Sequence, residues 1–293
     1  MALVFLPAAD IPRFVGEGNV DLGITGQDMV AEASTSLAYP PSAPGTPSVN
    51  GHSDSMDHMA ASTSSSGPAQ QLSELIHQVL PLGFGKCKLQ VQIPERSTKI
   101  RNIEDLVGKK IATSFDGLAG QFFRNLDEKV NAQRGDGKKL KTKIEYLGGS
   151  VEAACALGVA DGIVDLVESG ETMRAAGLHP IHTMMSSEAI LIHARRPSPE
   201  HAALISKITA RIRGVIAANN YVLCNYNVPR RYLEAVTQIT PGRRAATVSP
   251  LEDPEWVAVS SMVEKANVAN VMDQLGDQGA CDILIIGIGN CRV

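Results

Sequence analysis

Residues 149–178 read GSVEAACALGVADGIVDLVESGETMRAAGL, and the rest of the chain can be hung on this stretch. Gly162–Val167 is a short apolar run suited to a buried strand. Glu168-Ser169-Gly170-Glu171 then makes a tight turn into a helix predicted to start near Thr172 and to stop at Gly177. A turn of this kind outlines an anion site. The first backbone N–H groups of a helix have no partner within it and its dipole favours negative charge, so Ser169, the bare Gly170 and Thr172 can wrap a phosphate.

The acids matter as much as the turn. Asp165 lies on the strand and Glu168 opens the turn, where both are placed to face the hydroxyls or the metal of a sugar phosphate. A phosphoribosyl group fits that arrangement. The plainer reading is a capped helix after a strand, with Ser169 or Thr172 as the cap and the acids solvated, because short glycine-containing loops give many false positives.

DGIVDLVESGETMRAAGL resembles the phosphoribosyl-diphosphate signature of the ATP phosphoribosyltransferases, the first enzymes of histidine biosynthesis. DIPRFVGEGNVDLGITGQD near the start resembles the long, fungal-type form of the same family. So does the tail PGRRAATVSPLEDPEWVAVSSMV with DILIIGIGNCRV. These motifs are long, ungapped and in the family's order, and they span most of the chain.

Composition bounds the remainder. A chain of 293 residues with 44% hydrophobic and 20% charged residues has room for two or three compact units with proper cores. A net charge of −4 and a pI near 6.0, with no basic stripe, speak against a nucleic-acid or anionic-membrane partner. The basic cluster Lys138, Lys139, Lys141 and Lys143 reads as a solvated loop. The five cysteines are odd in number, lack a CxxC pair and sit mostly in apolar runs, which points to a reducing compartment and a cytoplasmic protein without a zinc site. His179-x-x-His182 is expected on the surface at a helix exit. No run is long enough to cross a bilayer, and the start is not a signal peptide.

In chain order, Ala2–Leu6 reads as a strand, Ile11–Val15 as a helix capped by Asp10, and Val20–Thr25 as a second strand turning at Gly26-Gln27-Asp28 into a helix. From 34 to 70 the composition collapses into Ser, Pro, Gly, Thr and Ala, as in a disordered insertion. Leu72, Leu75, Ile76, Val79 and Leu80 have helical spacing. Lys86–Ile93 alternates, with Cys87, Leu89, Val91 and Ile93 on one face and Lys86, Lys88, Gln90 and Gln92 on the other. Crossings near Pro94 and Glu188 would join two α/β lobes across a ligand cleft. Pro199–Asn219 reads as a long helix with Ile205, Ile208, Ile212, Val215 and Ile216 buried. The rest runs βαββαβ, the ferredoxin-like plan.

The expected fold is therefore α/β: a two-lobed, periplasmic-binding-protein-like catalytic unit followed by a ferredoxin-like, ACT-like regulatory domain. The expected division is 1–94 plus 188–219 as the first lobe, 95–187 as the second, and 220–293 as the regulatory domain.

The resemblance implies transfer of the phosphoribosyl group of phosphoribosyl diphosphate to N1 of ATP, with pyrophosphate released and Mg2+ present. It also implies a hexamer of identical chains and feedback inhibition by histidine at the small domain. Such a displacement needs neither a nucleophilic serine nor a catalytic histidine; it needs a held 5′-phosphate, a shielded leaving group and alignment. Ser169, Gly170, Glu171 and Thr172 supply the first. Asp165 and Glu168, joined by Glu152, orient ribose hydroxyls. Lys88 and the Thr25, Gly26, Asp28 turn are candidates for the nucleotide side.

The family normally begins with an earlier strand–helix unit bearing a Lys-Gly-Arg-type loop and a further arginine. Neither precedes Ala2, so poor catalysis is expected of this chain alone, with a truncated start favoured over an evolved loss. Two other classes stay open: a non-catalytic regulatory or binding subunit, and another amino-acid-controlled two-lobed enzyme such as a prephenate dehydratase, against which the phosphate-wrapping turn argues.

Overall fold

The computed structural model describes residues 2–38, 72–134 and 139–292, which form two compact units, Met1–Ser198 and Pro199–Val293.

The first unit holds two α/β lobes. In the first lobe, α1 (Ile11–Gly16), β1 (Leu22–Gly26), α2 (Gln27–Ala38), α3 (Leu72–Leu75) and β2 (Ile76–Pro81) gather around a three-stranded antiparallel sheet, which a later strand completes at its centre. Pro12 lies in the first turn of α1, where its fixed φ suits the helix and its missing N–H costs nothing. Val15, Leu72, Ile76, Ile190 and Ile192 form the core.

The second lobe contains β3 (Cys87–Pro94), β4 (Lys110–Thr113), α4 (Asp116–Gln133), β5 (Lys143–Tyr146), α5 (Ala153–Ala156), β6 (Gly162–Val167), α6 (Glu171–Ala175) and β7 (Leu178–Ser187). Their sheet has the order β5-β4-β6-β3-β7. Strands β5, β4 and β6 are parallel, and β3 is antiparallel to both its neighbours. The sheet is buried on both faces. Val164 joins Leu89, Val91, Ile111 and Phe123 in one core, while its neighbour Ile163 joins Ala112, Val151, Ala154 and Leu178 in the other. The chain then returns through β8 (Ala189–Ala194), which pairs with β1 and β2.

The second unit opens with α7 (Pro199–Asn220). It continues as β9 (Tyr221–Pro229), α8 (Leu233–Ile239), β10 (Thr247–Pro250), β11 (Trp256–Glu264), α9 (Val268–Asp277) and β12 (Cys281–Gly287). The antiparallel order β10-β11-β9-β12 is the ferredoxin-like arrangement. Strict alternation in β9 and β11 sends Val222, Cys224, Tyr226, Val257, Val259 and Val263 into the core with Leu275 of α9. Tyr226 is buried, and its hydroxyl is satisfied by Thr240 Oγ1 at 2.7 Å.

Several expectations need correction. Ala2–Leu6 forms no strand and no described strand pairs with it; Leu3 and Phe5 are exposed. Asp10 occupies the N-cap position of α1 but its side chain makes no cap bond. The helix after β1 runs to Ala38, past the expected start of the insertion at 34; residues 39–70, and Lys138 in the basic loop, lie outside the described residues. The apolar residues 72–80 are helical only to Leu75. From Ile76 a ladder with β8 is available and wins over helical spacing.

The first crossing between lobes falls at Leu82–Lys86, not at Pro94. Gly83 and Gly85 take positive φ there, and all of β3 pairs within the second lobe, with Pro94 at its end, where a missing N–H is tolerated. His179 and His182 lie on β7, a strand that had no place in the sequence reading, and the exposed His182 ring sits 5.1 Å from Phe122. Val215 falls at the margin of the α7 stripe and is 45% exposed. Gly214 is buried instead, beneath the backbone at Cys291, where a Cβ would clash. Compactness groups α7 with the C-terminal unit, whereas the expected boundary lay after residue 219.

Candidate active site

Strands β4 and β6 are parallel neighbours, so their carboxyl ends share one rim, the usual ligand edge of an α/β sheet. At that rim Val167 gives way to Glu168-Ser169-Gly170. Gly170 takes φ 77° as the N-cap residue of α6, a left-handed conformation open to glycine at little cost. The Glu171 N–H donates to Ser169 Oγ at 3.3 Å, and Arg174 Nη2 donates to the Ser169 carbonyl at 3.2 Å, so a guanidinium folds back over the turn. Sequence reasoning missed Arg174. The signal was its position four residues after Gly170, one helical turn on.

A cleft of about 450 Å³ opens beside this turn, between the two lobes of the first unit. Glu168, Ser169, Gly170 and Arg174 form one wall, and Lys86, Lys88 and Gln90 of the β3 segment another. Gln27 and Glu188 close it where the chain passes between lobes. The register pairs Lys88 with Val167 and Gln90 with Asp165, which puts Lys88, Gln90 and Asp165 on one sheet face. Asp165 Oδ1 accepts the Leu166 N–H at 2.8 Å. Burial pushes its carboxyl above the ordinary range, the Leu166 bond works against this, and the charge of nearby Glu152 adds to the rise.

The structure thus brings Glu168, Ser169, Gly170 and Lys88 to the cleft wall, with Asp165 opposite Gln90 on the same sheet face and under the electrostatic influence of Glu152. Glu171 and Thr172 are exposed on the first turn of α6, outside the cleft lining. Gly26 ends β1 at the opposite lobe. Thr25 and Asp28 turn inward: Thr25 is 5% exposed and donates to the Ala8 carbonyl at 2.9 Å. Asp28 is 4% exposed, accepts the Ser187 hydroxyl, and its N–H donates to Ser187 Oγ at 3.1 Å. Gln27, between them, is the residue of this turn that lines the cleft.

Cys87 also faces the cleft. Burial and the carboxylate of Asp28 push its thiol up, Ser187 pulls it down, and Glu168 adds to the rise. Burial likewise pushes Cys155 up to about 11, so neither thiol is poised as a thiolate nucleophile. All five cysteines are free. Among the described residues no three potential ligands converge on a metal position, and no helix is long and apolar enough to cross a membrane. The arrangement suits holding and aligning a phosphorylated, hydroxyl-bearing ligand.

Comparison with known proteins is consistent with that chemistry. The family model described as ATP phosphoribosyltransferase matches residues 7–43 and 66–214, and that described as the HisG C-terminal domain matches 218–290. An ATP phosphoribosyltransferase of Yarrowia lipolytica is 52% identical over 293 residues, covering 100% of this chain and 83% of that protein. Those of Schizosaccharomyces pombe and Saccharomyces cerevisiae are 48% and 43% identical, each with the same coverage.

Proposed function

The chain belongs to the ATP phosphoribosyltransferase family, and from that membership we propose which of its residues bind and align the substrates. The reaction transfers the phosphoribosyl group of phosphoribosyl diphosphate to N1 of ATP, releases pyrophosphate, and opens histidine biosynthesis. The family models and the relatives named ATP phosphoribosyltransferase favour this reading over a dehydratase or a non-catalytic subunit.

The observation that carries the residue assignment is the turn at the carboxyl end of β6, which shares one cleft with Lys86 and with Lys88 of β3, next to the Asp165 carboxyl on the same sheet face. In the proposal, Ser169, Gly170, Glu171 and Thr172 hold the 5′-phosphate through backbone N–H groups and the Thr172 hydroxyl. Asp165, Glu168 and Glu152 orient the ribose hydroxyls. Lys88 meets the polyphosphate, and Gly26 with Gln27 faces the nucleotide while buried Thr25 and Asp28 hold that turn in shape. As the C1–oxygen bond to pyrophosphate breaks and the N1–C1 bond forms, the ring gains cationic character. Fixed carboxylates and aligned reactants lower that barrier without a covalent intermediate.

Family members generally use a metal ion, and Mg2+ is proposed here. Glu168 and Asp165 offer the hard oxygen donors it prefers, and the ion would neutralise the charge of the diphosphate. The C-terminal unit is proposed to bind histidine as feedback inhibitor, with 220–293 as the regulatory domain. Assembly as a hexamer is proposed from the family; the edge strand β12, whose Leu284 and Ile286 are 59% and 46% exposed, supports association with another copy but not its number. A cytoplasmic setting is supported by the five free thiols.

The test of the assignment is Thr172→Val, assayed by pyrophosphate release and by direct binding. Loss of one hydroxyl contact to a phosphate should weaken phosphoribosyl diphosphate about tenfold or more while leaving ATP affinity within about twofold. Equal affinities for the sugar phosphate in both proteins would refute it.

A further inference from the structure

We propose that Glu32 is a positioning residue that fixes the cleft between the lobes by capping a helix of the opposite lobe. Helix α4 starts the second lobe's central connection, yet its N-cap residue, Phe115, has no side chain that can accept a hydrogen bond. The cap comes from α2, which follows β1 of the first lobe. Glu32 Oε1 accepts the Gly117 N–H at 2.7 Å and Oε2 accepts the Leu118 N–H at 2.9 Å. Both oxygens of one carboxylate thus accept from adjacent amides at the positive end of an 18-residue helix, across 85 positions of sequence for Gly117.

The rest of α2 makes the contact more than a local cap. Met29, one turn before Glu32, packs against the core of the second lobe, while Val30 and Ala33 pack against that of the first. At its start, the Gln27 N–H donates to the Glu188 carbonyl at 3.1 Å, and Asp28 is bonded to Ser187 at the end of β7. One stripe of α2 therefore belongs to each lobe, and the helix acts as a strut beside the second crossing of the chain. The strut leaves Gln27 on the cleft. Through it Glu32 holds the β1–α2 turn in register with the rim at the ends of β4 and β6. The effect on substrates rests on the reading that this turn faces the nucleotide; the mechanical coupling does not.

The experiment is hydrogen exchange on the full chain for the natural protein, Glu32→Ala and Glu32→Gln, with calorimetric titration of ATP and of phosphoribosyl diphosphate. A strut predicts faster exchange in Glu32→Ala by about tenfold at Gly117 and Leu118, together with severalfold faster exchange at Gln27, Asp28 and Ala189. It also predicts ATP weakened about fivefold, with phosphoribosyl diphosphate within about twofold, since the second lobe alone carries the phosphate turn. Glu32→Gln keeps one acceptor and should fall between; it carries the same reading if the alanine variant does not fold. Faster exchange confined to the first turn of α4, or none, overturns the proposal. Failure of the site reading has a different signature: Thr172→Val would leave sugar-phosphate affinity unchanged while the remote exchange in Glu32→Ala persisted.

Discussion

Asp165 shows how one residue can be set against the stability of its own fold. Burial, reinforced by Glu152, raises its carboxyl pKa above the unfolded value of about 3.9, so folding penalises the charged form relative to the unfolded chain. Its favourable contribution is complete below the unfolded pKa and is lost as pH rises through the raised folded value. Asp165→Asn should therefore raise the urea midpoint at pH 7, and the gain should fade towards pH 3. The same change should raise the KM for phosphoribosyl diphosphate about tenfold or more if the carboxylate meets the ribose. A midpoint that is lower at pH 7 would sink the electrostatic account.

At this scale the sequence was legible where a motif fixes the backbone, as at Glu168-Ser169-Gly170. It was illegible where only a rotamer decides. Thr25 and Asp28 flank a turn at the cleft, but nothing in their order says that both point inward, to Ala8 and to Ser187.

Among elements, β3 was readable because it alternates, and β7 was not. LHPIHTMMSS carries a proline, and its pairing with β3 shifts register twice, between Leu89 and Gln90 and between Val91 and Gln92, so no clean period of two survives. With β7 missing from the reading, one of the two second-lobe partners that flank β3 was out of sight, and the crossing was placed at Pro94. Helix α4, by contrast, carries a plain apolar stripe, with Phe122, Phe123, Leu126 and Val130 at helical spacing. It holds Phe123 at 1% exposure, edge-on to Phe122 at 5.2 Å between centroids. Leu89 is fully buried in the same core. Leu89→Ala should cost about 2–5 kcal/mol in urea unfolding, because the surrounding sheet can close the cavity only in part. A loss below about 1 kcal/mol would mean that β3 is not the interior strand, flanked by β6 and β7, described above.

For the whole molecule, the βαββαβ order of the C-terminal unit was legible because each of its elements is short, regular and bounded by turn residues. Its edge was less so. CDILIIG is the final strand of that order, and its Leu284, Ile285 and Ile286 lie exposed on β12. An apolar edge of this kind invites pairing with another chain. Leu284→Lys should lower the assembly mass measured by light scattering and blunt inhibition by histidine. An unchanged mass would move the interface elsewhere.

The most direct measurement is calorimetric titration of the full chain with phosphoribosyl diphosphate and Mg2+, with and without histidine. The account predicts one sugar-phosphate site per chain at the β6–α6 turn, with affinity weakened by histidine. A folded chain that takes up no phosphoribosyl diphosphate would contradict it.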